Sequence, residues 1–224
     1  MTAGPRVVSV RVGRVRELPR PDWDHHAERT WRTGYLKDEV AGPVRVGRLG
    51  MAGDEVADHH HHGGEQMAVL MYGERHYAEW RTQPGLDAMG PGAFGENLAV
   101  TGFDEWGVAI GDVLKVGEVE FEVSSPRAPC AAISRVWNQA DLLARVVKSG
   151  RSGWYLRVRR EGSLAAGDAV ERLAHPHPEW TVARVSAARV AGPKARDEAR
   201  ALADLGALSP EWRELFARNA AAGD

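Results

Sequence analysis

A chain of 224 residues is long enough to bury one sizeable core, and 43% apolar and 27% charged residues with eight tryptophans describe a globular protein, not a disordered or fibrous one. A formal net charge of −2 supplies no basic face of the kind that counterion release needs, so neither nucleic acid nor an anionic membrane is an expected partner. The lone cysteine excludes an intramolecular disulfide, and MTAGPRVVSVRVGRV has no apolar run long enough for a signal peptide or membrane span; the expectation is a cytoplasmic protein with Cys130 reduced.

In chain order, Val8, Val10 and Val12 alternate with Ser9, Arg11 and Gly13, the period of a half-buried strand. Residues 20 to 43 read as irregular. Glu74 to Trp80 suits a short helix, and the Gly- and Pro-rich stretch from Pro84 to Gly95 reads as loop. Ile110 to Val123 has the pattern of a hairpin turning at Gly117, which puts Cys130 just off a strand end. Asn138 is a candidate cap for a helix running to about Ser149, burying Leu142, Leu143, Val146 and Val147 and stopping at Gly150. Trp154, Leu156 and Val158 alternate as a strand, and Ala169 to Leu173 forms another. Gly111-Asp112 and Gly167-Asp168 each precede a strand, as a turn leading into it would require.

His175-Pro176-His177-Pro178 breaks the pattern, and helical periodicity follows: Val182, Val185 and Val190, then Ala201, Leu202 and Leu205, then Trp212, Leu215 and Phe216 behind the start signal Ser209-Pro210-Glu211. The division expected is a main domain over 1–174 and a three-helix extension over 175–224, the latter too small to stand without docking.

The stretch SSPRAPC carries the chemistry. Pro126 and Pro129 stiffen the loop, and Arg127 is a cation placed to favour the thiolate, the form of cysteine that binds soft metals or attacks electrophiles. A small buried hydrophobe is the plain alternative for Cys130. The run His59 to His62 lies inside the chain; with Glu55 or Asp58 it raises the idea of a zinc or iron site, although consecutive residues of a strand point to opposite faces. His62 stands out, because Gly63 and Gly64 after it let backbone approach a ligand. By themselves Phe94-Gly95-Glu96-Asn97 and Gly53-Asp54-Glu55 read as turns.

Taken together and in order, GMAGDEVADHHHHGG, HYAEW, FGENLAVTGFDE, GDVLKVGEVEFEVSSPRAPC and SGWYLRV resemble the MOSC domain family, the molybdenum cofactor sulfurase C-terminal domain, in its YiiM-like bacterial branch. The resemblance covers about residues 5 to 174, and the trailing helices resemble that branch's extension. It implies an α+β, mainly β fold with a barrel-like domain, a pterin-based molybdenum cofactor (Mo-molybdopterin), and Cys130 as the metal's protein ligand. Carried over residue by residue, Arg127 and Ser125 would hold the cofactor, Asn97 and Glu96 would border it, and Thr33 and Lys37 match an early segment in which Lys37 would meet the pterin phosphate. Asp54, His62, Gly63 and Gly64 would complete the pocket, with His62 or Asp54 as proton donor. Where the family's usual pattern runs Pro-Asp and then a basic residue after the paired glycines, this chain has Glu65, Gln66 and Met67.

The implied activity is reduction of N-hydroxylated small molecules, such as hydroxylamino-purines or amidoximes. Electrons would come from an external reductase, since no Rossmann or flavin fingerprint and no cysteine set for an iron–sulfur cluster is present. The rival from another class is a carrier that holds the cofactor or a persulfide sulfur on Cys130 without turnover. The sequence leaves the oligomeric state open.

Overall fold

The computed structural model describes residues 4–222. Thirteen strands and six α-helices are defined among them. The first strands are β1 (Val7–Val12), β2 (Arg16–Pro19), β3 (Thr30–Thr33), β4 (Asp38–Glu39), β5 (Val44–Gly47) and β6 (Gly50–Met51). They are followed by β7 (Val69–Gly73), α1 (His76–Trp80), β8 (Leu98–Val100), β9 (Val113–Val116), β10 (Val119–Pro126), α2 (Ala132–Val136) and α3 (Leu142–Ser149). The chain ends with β11 (Trp154–Arg160), β12 (Gly162–Leu164), β13 (Val170–Ala174), α4 (Val182–Ala191), α5 (Arg196–Ala203) and α6 (Pro210–Ala221). The fold is α+β: an eight-stranded mixed sheet in the order β13-β9-β10-β11-β7-β8-β1-β4, with only β7 and β8 parallel, is joined by a three-stranded sheet and by the β2–β3 ribbon.

The barrel expectation needs correction. The large sheet curls until Arg6, ahead of β1, bridges Ala169, ahead of β13, but that single bridge does not close a barrel among the described residues. The Gly-Asp pairs explain how the turns near this seam hold. Gly111 and Gly167 have φ of +82° and +95°, which L side chains resist, and each following aspartate accepts a backbone hydrogen bond from three residues back, Ala109 N to Asp112 (3.1 Å) and Ala165 N to Asp168 (2.8 Å).

Other expectations shift by amounts the physics explains. A bulge between Val7 and Ser9 turns Val8 out and buries Val7 and Ser9 beside Val10, so the face alternates differently from the sequence pattern. Residues 20–43 contain β3 and β4; β2 and β3 pair on the surface, where few apolar residues alternate to betray a strand. Asn138 does not cap α3. It sits at φ +49° in the turn after α2, and Asp141 takes the cap position without a side-chain hydrogen bond to the helix. Leu142 and Val146 are buried, Val147 faces solvent, and Gly150 ends α3 in the left-handed conformation.

The C-terminal helices bury Val182, Val185, Leu202, Trp212 and Phe216 in the same apolar cluster as Val46, Leu114, Phe121 and Leu156 of the sheets. Val190, expected on that face, is exposed instead. The main chain of Ser209 donates to Ser124 O (2.9 Å), which ties the start of α6 to the strand that leads into the cysteine loop. A second cluster holds Tyr72, Tyr77, Trp80, Phe94, Ile133, Leu142 and Val146, with Trp31 and Cys130 packed against its edge.

Candidate active site

The cysteine loop is positioned by its neighbours on both sides. Arg127 N donates to Gly153 O (3.0 Å) and Ser152 Oγ donates to Arg127 O (2.8 Å), fastening the loop to the approach of β11. Two residues beyond Cys130 the chain enters α2, with Ile133 N donating back to Cys130 O (3.3 Å). The loop forms one wall of a cleft of about 610 Å³, within the usual size of small-molecule sites.

This cleft gathers Thr33, Lys37, Asp54, His62, Gly63, Asn97, Arg127 and Cys130 of the residues singled out in the sequence, with Glu55, Asp58 and His61 of the metal-candidate run beside them. Gly64, Glu96 and Ser125 lie off its lining. Glu96 is fully buried and accepts hydrogen bonds from the Tyr77 hydroxyl, Gly92 N and Phe94 N (2.9 Å), which hold the 92–97 loop from beneath. Burial pushes its carboxyl above the usual range against those hydrogen bonds. Ser125 is buried opposite Tyr155, and its hydroxyl has no hydrogen-bond partner among the described residues. Gly64 leads into a short 3-10 turn over Glu65–Met67.

Asp54 is a hub. It pairs with Lys37, its Oδ1 accepts from Gly13 N (2.8 Å), and its Oδ2 accepts from Asn97 Nδ2 (2.9 Å). Asn97 in turn accepts from Leu70 N (3.0 Å). Four segments far apart in sequence meet through this carboxylate. Both of its oxygens are engaged within the protein, so Asp54 holds Lys37, Gly13 and Asn97 together.

The histidine run is organised by Asp58, which accepts from His60 N (3.0 Å) and pairs with the His61 ring (2.9 Å). His59, His60 and His61 are exposed, while His62 is partly buried on the cleft wall. No three His, Cys, Asp or Glu side chains converge on a metal position among the described residues. Gly63 has φ +81°, and a Cβ there would come within 3.2 Å of Val56, so the turn that aims His62 needs a glycine.

Burial pushes the Cys130 thiol up, but the His62 imidazole, the Arg127 guanidinium and the Ala132 N–H outweigh it and bring the pKa down to about 7. Because the thiolate is the reactive form, alkylation of cofactor-free protein by iodoacetamide is expected to rise to half its plateau rate near pH 7. In Arg127→Gln the midpoint moves upward, since one stabilising charge is gone. A wild-type midpoint at or above about 8.5, the value of an unperturbed thiol, would contradict this electrostatic picture.

Arg127 itself is 5% exposed, and no carboxylate pairs with it among the described residues; its guanidinium lies over the Tyr35 ring at 5.7 Å, and Nη1 has no hydrogen-bond partner. A buried cation so placed is suited to an anionic group entering the cleft. Tyr35, Tyr155, Trp31 and Arg135 also line the cleft and were not singled out. Their signal was faint: Tyr155 is the polar-facing partner of buried Trp154 in an alternating strand, and Tyr35 sits inside RTGYLK.

Comparison with known proteins agrees with this architecture. A model of the MOSC domain matches residues 58–171, and one of the YiiM-like 3-alpha helix domain matches residues 180–218. The protein YiiM of Escherichia coli (strain K12) is 30% identical over 194 residues, covering 85% of this chain and 86% of its own length. A protein named Reductase from Gibberella moniliformis (strain M3125 / FGSC 7600) is 39% identical over 156 residues, 68% of this chain, which spans only 28% of that protein's length. The crystal structure of YiiM from Geobacillus stearothermophilus superposes with a TM-score of 0.80 at 27% identity, covering 96% of this chain and 99% of that one. The chain therefore belongs to the MOSC domain family and carries the three-helix unit of its YiiM-like members.

Proposed function

We propose that this protein is a molybdenum-cofactor reductase of N-hydroxylated small molecules, with Cys130 as the protein ligand of the metal. The family is associated with that cofactor, a relative bears the name Reductase, and both incline the reading towards an enzyme. The observation that carries it is the meeting, in one cleft, of a thiol poised at about pKa 7 and a buried arginine whose Nη1 is unpartnered. The donor set fits the group: a soft thiolate for the metal, Arg127 for an anionic substituent, and the Thr33 hydroxyl on the cleft lining for a polar ring.

When bound, the cofactor supplies the two-electron chemistry of oxygen removal, R–NHOH + 2e⁻ + 2H⁺ → R–NH₂ + H₂O. The chain's own residues do the rest. Cys130 anchors, Arg127 orients through charge-assisted hydrogen bonds, and the Asp54 hub holds Lys37 and Asn97 in register. The ring N–H of His62, on the wall beside the thiol, gives a proton to the departing oxygen. Electrons come from an external reductase.

The test is turnover of 6-hydroxylaminopurine and benzamidoxime by protein from a molybdate-fed host, with reduced methyl viologen as donor. Adenine and benzamidine are expected to form in proportion to molybdenum content, with His62→Ala slowed about 10²-fold or more. Stoichiometric molybdenum and pterin without product would replace the reductase with the carrier.

A further inference from the structure

We propose that Trp31 and Arg135 form a stacking subsite in the cleft, which takes the ring of a planar heteroaromatic ligand and sets the preference for ring-bearing over small open-chain substrates. Both side chains line the same cleft as Cys130. The Arg135 guanidinium lies over the Trp31 ring, 5.1 Å from its centroid, so a cation and an aromatic face already meet beside the reaction site. Bases and related rings stack on both kinds of plane, aromatic faces and guanidinium faces alike. Arg135 lies on α2, five residues beyond Cys130, and both side chains line the cleft.

What distinguishes this pair from an incidental surface contact is how firmly it is held. Arg135 Nε donates to Asp24 (2.7 Å), and Arg20, with a side chain only 8% exposed, grips the same carboxylate (2.8 Å). Arg20 and Arg135 together hold the Asp24 carboxyl below its ordinary range. A second tether, Trp23 Nε1 to Asn138 Oδ1 (3.0 Å), ties the 20–30 loop to the turn after α2. Trp31 is fixed from the other side by β3, where it pairs with Leu18 of β2. A plane pre-set by three restraints loses little conformational freedom when a ring settles on it, and such preorganisation is what turns stacking into affinity. The 20–43 segment, irregular in its sequence pattern, thereby acquires a role: it carries one half of the plane to the cleft mouth.

The subsite rests on the reductase reading only for what happens to the ligand, not for binding itself. Its test is therefore equilibrium binding of adenine, the non-reducible ring, to cofactor-loaded protein by calorimetry, alongside the KM values of 6-hydroxylaminopurine and of acetamidoxime, which has no ring. Trp31→Ala is expected to weaken adenine and raise the KM of the purine by about 5- to 150-fold, the range that stacking on an aromatic gives per base. Acetamidoxime KM and the kcat for both substrates stay within about twofold, because the reacting group is not touched. Trp31→Phe, which keeps a face, recovers most of the loss, and Arg135→Met weakens adenine in the same direction.

Equal losses for ring and open-chain substrates, or unchanged adenine binding in Trp31→Ala, would overturn the subsite. Loss of pterin from Trp31→Ala would also overturn it, by showing that the plane serves the cofactor. If the wild type binds adenine in a Trp31-dependent way yet reduces neither substrate, the subsite stands and the reductase falls.

Discussion

Cys130→Ser protein, purified from a molybdate-fed host beside the wild type, is expected to lose at least 10- to 100-fold in bound molybdenum, with turnover of 6-hydroxylaminopurine falling to background. Changes to groups that merely support a ligand already cost 10–100-fold in metal affinity, and here the ligand itself is replaced. Serine keeps the size of the side chain but not its softness or its acidity, so the Arg127 guanidinium and the His62 hydrogen bond that stabilise the thiolate have no anion to act on. The fold has little reason to suffer, because Cys130 sits at the edge of the second apolar cluster and not in its interior. Melting curves that coincide while metal content collapses would tie the loss to ligation. Undiminished molybdenum in the serine variant would show that the thiol is not the ligand, and the proposed function would fall with it.

The second large effect is on stability. Asp54→Ala leaves the Lys37 ammonium, 8% exposed in the native protein, without its counter-charge, and removes the acceptor of Gly13 N and Asn97 Nδ2. Breaking a buried pair by deleting one partner costs about 3–5 kcal/mol, and for a chain of this length each kcal/mol lowers Tm by about 2–4 °C. A drop of roughly 10 °C is therefore expected in a thermal melt. The double variant Lys37→Met/Asp54→Ala is expected to regain much of it, since no orphan charge remains. If the single and double variants melt alike, the cost lies in the lost backbone acceptor and not in the stranded ammonium.

How legible was all this in the residues? Strands with clear alternation were readable: Trp154, Leu156 and Val158 really do point one way, and the hairpin around Gly117 pairs as its pattern implies. The β2–β3 ribbon was not readable, because a surface pair needs no apolar face and so leaves none in the sequence. The same limit governed the site. Residues in compact motifs with unusual chemistry, Cys130 beside two prolines or His62 before two glycines, could be picked out and do meet in the cleft. Asp54 was legible as a site residue but not as a hub, since its partners Gly13, Lys37 and Asn97 are brought together only by tertiary contacts. Trp31 and Arg135 belong to no local motif at all; only folding sets one against the other.

The seam of the large sheet has a consequence for how the chain reaches this structure. The first strand is hydrogen-bonded to β8 and β4, and the residue ahead of it bridges Ala169 just before the last strand of that sheet. Such distant pairings repay the entropy of closing a long loop only late, so the folding rate is set by contacts between remote parts of the chain and not by local hairpins. During synthesis β4 and β8 follow β1 within the next hundred residues, whereas the bridge from Arg6 to Ala169 waits for about 160 residues, so the seam is made last and its segments stay open longest, a period in which assistance from a chaperone has its greatest value.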